Sequence, residues 1–374
     1  MGAIEPHLRR SIVIHSPHSG RSAELTLALS DLQQVGIEII QEISIAELDN
    51  KPPQGAYWQQ QGIDIAIAAG GDGLVGGVIN HVIENGMPLG ILPLGTGNDI
   101  ARSLRIPQDL HAAAQVIALG NEQMVDVGVA QPAEQAPHAA SPTTQTPAIA
   151  QIAPQKHGFF AHALTIGLNV QFARIATNVA TRQRFGRLTY PVATLEVLKS
   201  LQTLEVELYF EGLLLPNTGG ILRRHFLPKP LPGSVLTDEV TVVNFRALEV
   251  AVINAPVFGG QWNLAIPEAS ISDRLLDIVV IEDIDLSLLG TNLARFFSLK
   301  EQALPSSVNE PEHYFTRYPG DLTGIPGIHH VQARGITIKT SADPMDATLD
   351  GEVRGQTPMH VHMAEQRLRV LAPK

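Results

Sequence analysis

The chain contains no cysteine. Disulfides, thiolate metal sites, iron–sulfur clusters and a cysteine nucleophile are therefore excluded. A reducing, cytoplasmic setting is the expectation that fits this. Aromatic residues are scarce, at 5%, and charged residues make up 17% of the chain, against a usual share of about 25%. Lys and Arg number 26 and Asp and Glu 37, for a formal net charge of −11. Such a balance lacks the basic footprint of a nucleic-acid binder, so no nucleic-acid partner is expected. No apolar run approaches the ~18 residues of a membrane-crossing helix. Met1 to Arg10 lacks the basic-then-apolar order of a signal peptide, and Pro6 stands where a myristoylation signal wants Ser or Thr. Any membrane contact is expected to be peripheral.

What is present is a chain of 374 residues, 44% of them hydrophobic. That excludes disorder and leaves room for two or three domains. The first third alternates strands and helices. Strands are predicted over 11–15, 37–40, 63–68 and 89–92, and helices over 23–32, 74–84, 100–104 and 109–119. This repetition indicates an α/β layer with a mostly parallel sheet. Asn98 and Asp99 are predicted to cap the helix at 100–104. The texture changes after Asp126. Residues 131–156 are Ala, Pro, Gln and Thr without periodicity and read as a flexible insertion. Beyond them the pattern is mainly strands, at 204–210, 240–245, 248–253, 278–281, 335–339, 360–363 and 367–371. One long helical stretch, about 173–201, is broken near Gly186 and Pro191, and 212–235 reads as a loop. The expected architecture is an α/β N-terminal domain, residues 1–125, followed by a β-sandwich or barrel, residues 126–374.

The chemistry concentrates in turns that follow strands. Gly70, Gly71, Asp72 and Gly73 lie between a predicted strand and a helix, and Gly71, Gly73 and Gly76 spell a G-x-G-x-x-G pattern. A dinucleotide site would place an acidic residue at the end of the next strand. Here that strand ends in a second glycine turn, Gly95, Thr96 and Gly97, followed by Asn98 and Asp99. Two such turns read better as a divided cradle for a nucleotide's phosphates, because glycines let backbone N–H groups approach an anion closely. A third turn, Ser16 to Gly20 with Ser19 inside it, follows the first strand and falls on the same sheet edge. There is no Gly-Lys-Ser or Gly-Lys-Thr, no His-Arg-Asp and no Asp-Phe-Gly, so P-loop enzymes and protein kinases are excluded. Late in the chain come Leu349, Asp350, Gly351 and Glu352. Locally this is a type I′ hairpin signal; the two carboxylates also suit a general base or a metal site.

Taken in order, these motifs resemble the diacylglycerol kinase catalytic-domain family, which includes bacterial diacylglycerol, sphingosine and ceramide kinases. Asp126-Val-Gly128, Thr165 to Asn169, Gly186 to Tyr190, Val252 to Asn254 and Gly259-Gly260 extend the match over nearly the whole chain. The resemblance implies an ATP-binding domain similar to NAD kinase and phosphofructokinase, a lipid-binding β-sandwich, a cleft between them, and a C-terminus that returns to the first domain. It implies ATP and Mg²⁺ as cofactors and a lipid substrate met peripherally at a membrane surface; a homodimer is plausible from it. Carried over, Gly70, Gly71, Asp72 and Gly73 approach the nucleotide, and Gly95, Thr96, Gly97 and Asn98 form the other wall. Ser16, Ser19 and Gly20 lie near the phosphates, Asp350 is the general base for the lipid hydroxyl, and Glu352 supports metal or geometry.

Three departures stand out. Leu74 replaces a usual Thr, Ser16 a usual Asn, and Arg274 a usual Gly in a segment linked in relatives to a structural metal, where Asp273 is the remaining candidate ligand. Diacylglycerol is the first substrate expectation, with a sphingoid base or phosphatidylglycerol as alternatives. A nucleotide- or lipid-binding module without catalysis is the reading from another class. Arg174, Arg182, Arg184, Arg187 and Lys199 read as a solvated helix face or a headgroup-facing one. His360 and His362 share a strand face without acidic ligands at metal spacing, and Trp58 and Trp262 read as packing residues.

Overall fold

The computed structural model describes residues 9–17, 19–48, 51–133, 158–177, 202–213, 235–236, 240–260, 263–298, 325–342 and 344–374. The first domain runs β1 (Arg9–His15), α1 (Leu25–Gln34), β2 (Ile37–Ser44), α2 (Gly55–Gln60), β3 (Ile65–Gly70), α3 (Asp72–Val82), β4 (Leu89–Pro93), α4 (Asp99–Ser103), α5 (Leu110–Leu119) and β5 (Glu122–Val125). Its sheet order is β2-β1-β3-β4, then the last strand of the chain, then β5. The first four pair in parallel. Every residue of β3 and β4 is buried, because helices cover both faces of the sheet. Helix α3 shows why the sequence folds this way. Leu74, Val75, Val78, Ile79 and Val82 recur at helical spacing and are all buried. Each contributes ~1.5–3 kcal/mol on burial. The departure at position 74 is thus a core residue, 5% exposed.

The second domain follows with β6 (Gly128–Pro132), β7 (Gly158–Phe160), β8 (Ala163–Gly167), α6 (Leu168–Thr177), β9 (Leu204–Glu211), β10 (Val235–Leu236), β11 (Val240–Ile253), β12 (Val257–Phe258), β13 (Leu264–Ala265) and β14 (Leu276–Glu282). Then come α7 (Leu286–Ser298), β15 (Ile328–Ala333), β16 (Gly335–Thr340), β17 (Asp346–Leu349), β18 (Glu352–Gln356), β19 (Met359–Met363) and β20 (Leu368–Leu371). The main path of its sheet is β18-β17-β8-β11-β9-β16-β19-β6-β7, with β14 and β15 branching from β11. A core of alternating residues such as Leu164, Ile166, Leu208, Val250 and Ile336 fills the sandwich. The chain leaves the first sheet at Val125, and β20 returns to it, parallel to β4 and antiparallel to β5.

Several elements differ from the sequence reading. The predicted strands at 240–245 and 248–253 are one strand of 14 residues. A register irregularity between Ala247 and Glu249, where β11 meets β14, breaks the alternation and explains the apparent gap. Helix α6 starts before the expected Ala173, whereas 178–201 lie outside the described residues, with Arg182, Arg184, Arg187 and Lys199 among them. Arg174 is exposed and ion-paired with Asp346. Of the predicted insertion, 131–132 finish β6, Ala133 follows it, and 134–157 lie outside the described residues, as do 214–234 of the predicted loop and Trp262. Trp58 is a core residue. The rings of His360 and His362 stack with centroids 5.1 Å apart, and His360 Nδ1 lies 3.0 Å from the Thr337 hydroxyl.

Candidate active site

Strand β1 lies between β2 and β3, so the chain crosses from one side of it to the other. In open α/β sheets, the crevice at the carboxyl ends of such strands is where ligands bind. The turns after β1, β3 and β4 meet there. The Arg21 N–H donates to the Leu94 carbonyl at 2.9 Å, and the Leu94 N–H to the Gly70 carbonyl at 3.1 Å. Ser19 N–H closes its own turn on the Ser16 carbonyl at 3.2 Å. Gly71 and Gly95 touch backbone to backbone, and a Cβ on Gly95 would collide with the Gly71 Cα. A Cβ on Gly20 would come 2.5 Å from the Thr96 hydroxyl, and one on Gly70 3.1 Å from the Ser19 hydroxyl. Ser19, Gly20, Gly70, Gly71, Gly95 and Thr96 therefore form one surface.

Asn98 braces that surface rather than capping α4. Its backbone is left-handed, φ 57°, a conformation Asn tolerates. Its Oδ1 accepts from Gly95 N–H at 2.9 Å, and its Nδ2 donates to the Gly95 carbonyl at 3.0 Å and to Gln108 Oε1 at 3.1 Å. The predicted capping by Asn98 and Asp99 is thus corrected. The α4 donor at Ile100 goes to Asp72 Oδ1, at 2.8 Å, from the neighbouring turn. Asp99 instead spans the cleft and accepts from the Gly260 N–H of the second domain at 2.8 Å. Burial pushes the Asp99 carboxyl above its ordinary range, while nearby His162 pulls it down and Asp72 pushes it further up. The other oxygens of this pair face Gly97, whose Cβ would sit 3.4 Å from Asp72 Oδ2 and 3.6 Å from Asp99 Oδ2. No side chain caps the N-terminus of α3, which opens at Asp72 beside these carboxylates.

Asp350 reaches the cleft from the second domain. With Asp350 at φ 50° and Gly351 at φ 83°, β17 and β18 close as the hairpin the sequence signals. The hairpin turn and a carboxylate held at the cleft coexist here. Asp350 Oδ1 accepts from His162 N–H at 2.8 Å and Ala163 N–H at 3.2 Å, and Oδ2 from Ala161 N–H at 3.1 Å. The residue is 4% exposed. Burial raises its pKa, opposed first by Arg354 and then by His162 and the amides. The facing surface is α3. A Cβ on Gly76 would collide with Asp350 Oδ2, and a Cβ on Gly73 would come 2.7 Å from Glu352 Oε1. Gly73 and Gly76 therefore admit the hairpin, whereas Gly70 and Gly71 belong to the turns. Glu352 itself is more than half exposed.

The segment around Asp273 does not fit a metal ion. The Asp273 carboxylate accepts from its own loop, at Leu275 N–H, 3.0 Å. The adjacent Asp126 is fully buried and already held by cations. Arg367 Nε donates to it at 2.7 Å, Arg274 N–H at 2.6 Å, and the Arg274 guanidinium lies 3.5 Å away. Among the described residues, no three His, Asp or Glu side chains are grouped to hold a metal. Asp99, His162 and Arg354 were missed in the sequence. Asp99 was read as a cap, and nothing in the local pattern marks the other two.

Two family models match this chain. The diacylglycerol kinase catalytic domain matches residues 10–130, and the YegS C-terminal NAD kinase beta sandwich-like domain matches residues 163–300. A diacylglycerol kinase of Bacillus subtilis (strain 168) is 24% identical over 377 residues, covering 98% of this chain and 97% of the relative. A diacylglycerol kinase of Staphylococcus saprophyticus is 22% identical, covering 98% and 96%. A crystal structure of a diacylglycerol kinase from Bacillus anthracis str. Sterne superposes with a TM-score of 0.58 at 19% identity, covering 99% of each chain.

Proposed function

Because the chain belongs to the diacylglycerol kinase catalytic-domain family and is a lipid kinase, we propose that it transfers the γ-phosphoryl group of ATP to the hydroxyl of diacylglycerol, giving phosphatidic acid. The observation that carries this reading is the Asp350 carboxylate. It is fixed by three backbone amides and set against the N-terminal half of α3, beside the three glycine turns. Phosphoryl transfer asks a protein mainly for positioning, charge stabilisation and a group that takes the acceptor's proton. The turns and the uncapped α3 N-terminus fit the phosphates, since backbone N–H groups and the helix dipole favour anions. Asp72 and Asp99 fit a phosphate-bound Mg²⁺, which needs only one or two protein carboxylates. The ion, when bound, would neutralise charge developing on the transferring group. Asp350 accepts the hydroxyl proton through whichever of its oxygens faces the acceptor. The fixed hydrogen bonds hold it in place without reorganisation.

The lipid enters from a membrane surface, with the protein bound peripherally in the cytoplasm. No helix among the described residues is long and apolar enough to cross a membrane. The test is radiolabelled ATP with Mg²⁺ and mixed micelles of dioleoylglycerol, sphingosine or phosphatidylglycerol, each assayed alone. Labelled phosphatidic acid is expected. Label on sphingosine or phosphatidylglycerol instead would replace the substrate, and ATP binding without any labelled lipid would favour the non-catalytic module.

A further inference from the structure

We propose that Arg354 is a positioning residue for the transfer, holding the Asp350 carboxylate ionised and aimed inside its buried pocket. The inference rests on the reading of Asp350 as general base. Burial alone favours the neutral acid, which cannot accept a proton. The amides of residues 161–163 offset part of that cost, and Arg354 supplies the opposite charge.

Three independent features place its guanidinium. The first is a bulge. Ala347 pairs with Gly355 and Thr348 with Val353, so Arg354 is the extra residue of β18. Bulges turn a side chain away from the face that alternation would give it. The second is an anchor, since Arg354 Nη2 donates to the Leu349 carbonyl, one residue before Asp350, at 3.1 Å. The third is a notch in α3. A Cβ on Gly76 would collide with Asp350 Oδ2 and come 3.0 Å from Arg354 Nη2, so one missing methyl makes room for both groups. The other charged or titratable groups here are Glu352, whose Oε2 lies 3.6 Å from Arg354 Nε, and His162. On the α3 side, Gly73 and Gly76 face the hairpin tip.

The experiment is the pH profile of kcat/KM for transfer from ATP to dioleoylglycerol micelles, for the wild type, Arg354→Met and Arg354→Lys. Arg354→Met should move the acidic limb upward by about one pH unit, roughly tenfold in the ionisation constant, with KM for ATP nearly unchanged. Lys should restore most of the position. A limb that stays put, or a loss equal at every pH, overturns the proposal. Asp350→Asn is assayed beside them. If it stays active, the general-base reading fails and takes the role of Arg354 with it, whereas an inactive Asp350→Asn beside an unmoved limb in Arg354→Met overturns the role of Arg354 alone. A second readout does not need activity. The melting temperature of wild type minus Arg354→Met should widen between about pH 4 and pH 8, because only the charged carboxylate gains from the guanidinium. In the Asp350→Asn background that widening should shrink. The same widening in both backgrounds assigns the charge partner to Glu352 and overturns the proposal.

Discussion

At the scale of single residues, five glycines of the first domain divide between two jobs that their shared type conceals. Gly70, Gly71 and Gly95 let the turns touch, and Gly73 and Gly76 let the second domain's hairpin approach α3. Ala inside a helix ordinarily stabilises by about 0.5–1 kcal/mol relative to Gly. Gly290, in α7 with nothing within 4 Å of a Cβ, should show that gain on Gly290→Ala in a denaturant melt. Gly76→Ala should lose stability instead and lower kcat by about tenfold or more, since displacing a reacting group by a fraction of an ångström is costly. Calorimetry and initial rates check both. The G-x-G-x-x-G pattern was legible as a candidate site element at a strand-to-helix turn, where the structure places it. The division of its glycines was not, because it depends on Asp350, Glu352 and Arg354, far along the chain.

At the scale of elements, α6 is held at its start by a buried acid. Glu249 of β11 accepts from the Asn169 N–H at 3.0 Å and from its Nδ2 at 2.8 Å. The turn into α6 uses Gly167 at φ 118°, where a Cβ would collide with the Leu248 carbonyl. Burial pushes the Glu249 carboxyl up to about 8 from an ordinary 4.5, against the pull of the Asn169 amide. The neutral acid is thus the form the fold prefers. Its contribution is fully present below pH 4.5 and lost as pH rises through about 8. Glu249→Gln should therefore melt higher than the wild type at pH 8–9 and show a flatter melting curve against pH. Strands buried on both faces, as β1 and β3 are, were readable as short continuous apolar runs, and α3 was readable from its helical period. Reading failed where a bulge resets the alternation, as in β11, and where helical spacing goes unnoticed, as in Leu286–Ser298.

At the scale of the molecule, two domains are tied by a buried carboxylate and a returning strand. Asp126 sits where the chain leaves the first sheet, and Arg367 stands just before β20 re-enters it. Arg367 also donates to the Ser272 carbonyl at 2.6 Å, so one guanidinium gathers three segments. Asn254 adds a second tie, donating to the carbonyls of Asp126 at 2.7 Å and Ala161 at 2.8 Å. Arg367→Met leaves a buried charge half-compensated. It should cost on the order of 2 kcal/mol, below the value for a fully buried pair, because Arg274 remains and Arg367 is partly exposed. Denaturant melts measure it. The ordered motifs made the two-domain plan and the lipid kinase family legible. The joint was legible only in part: Arg274 stood out as a departure, but no local pattern brings Arg367 to Asp126 from 241 residues away.

The measurement that tests the cleft most directly compares Asp350→Asn with the wild type in dioleoylglycerol phosphorylation and in ATP binding by calorimetry. The amide keeps the side chain's shape and removes its basicity. General-base action typically contributes ~10²–10⁴-fold, so kcat should fall within that range while ATP affinity stays within about twofold. Activity close to wild type, or ATP affinity lost together with activity, would contradict the placement of the acceptor's proton on Asp350.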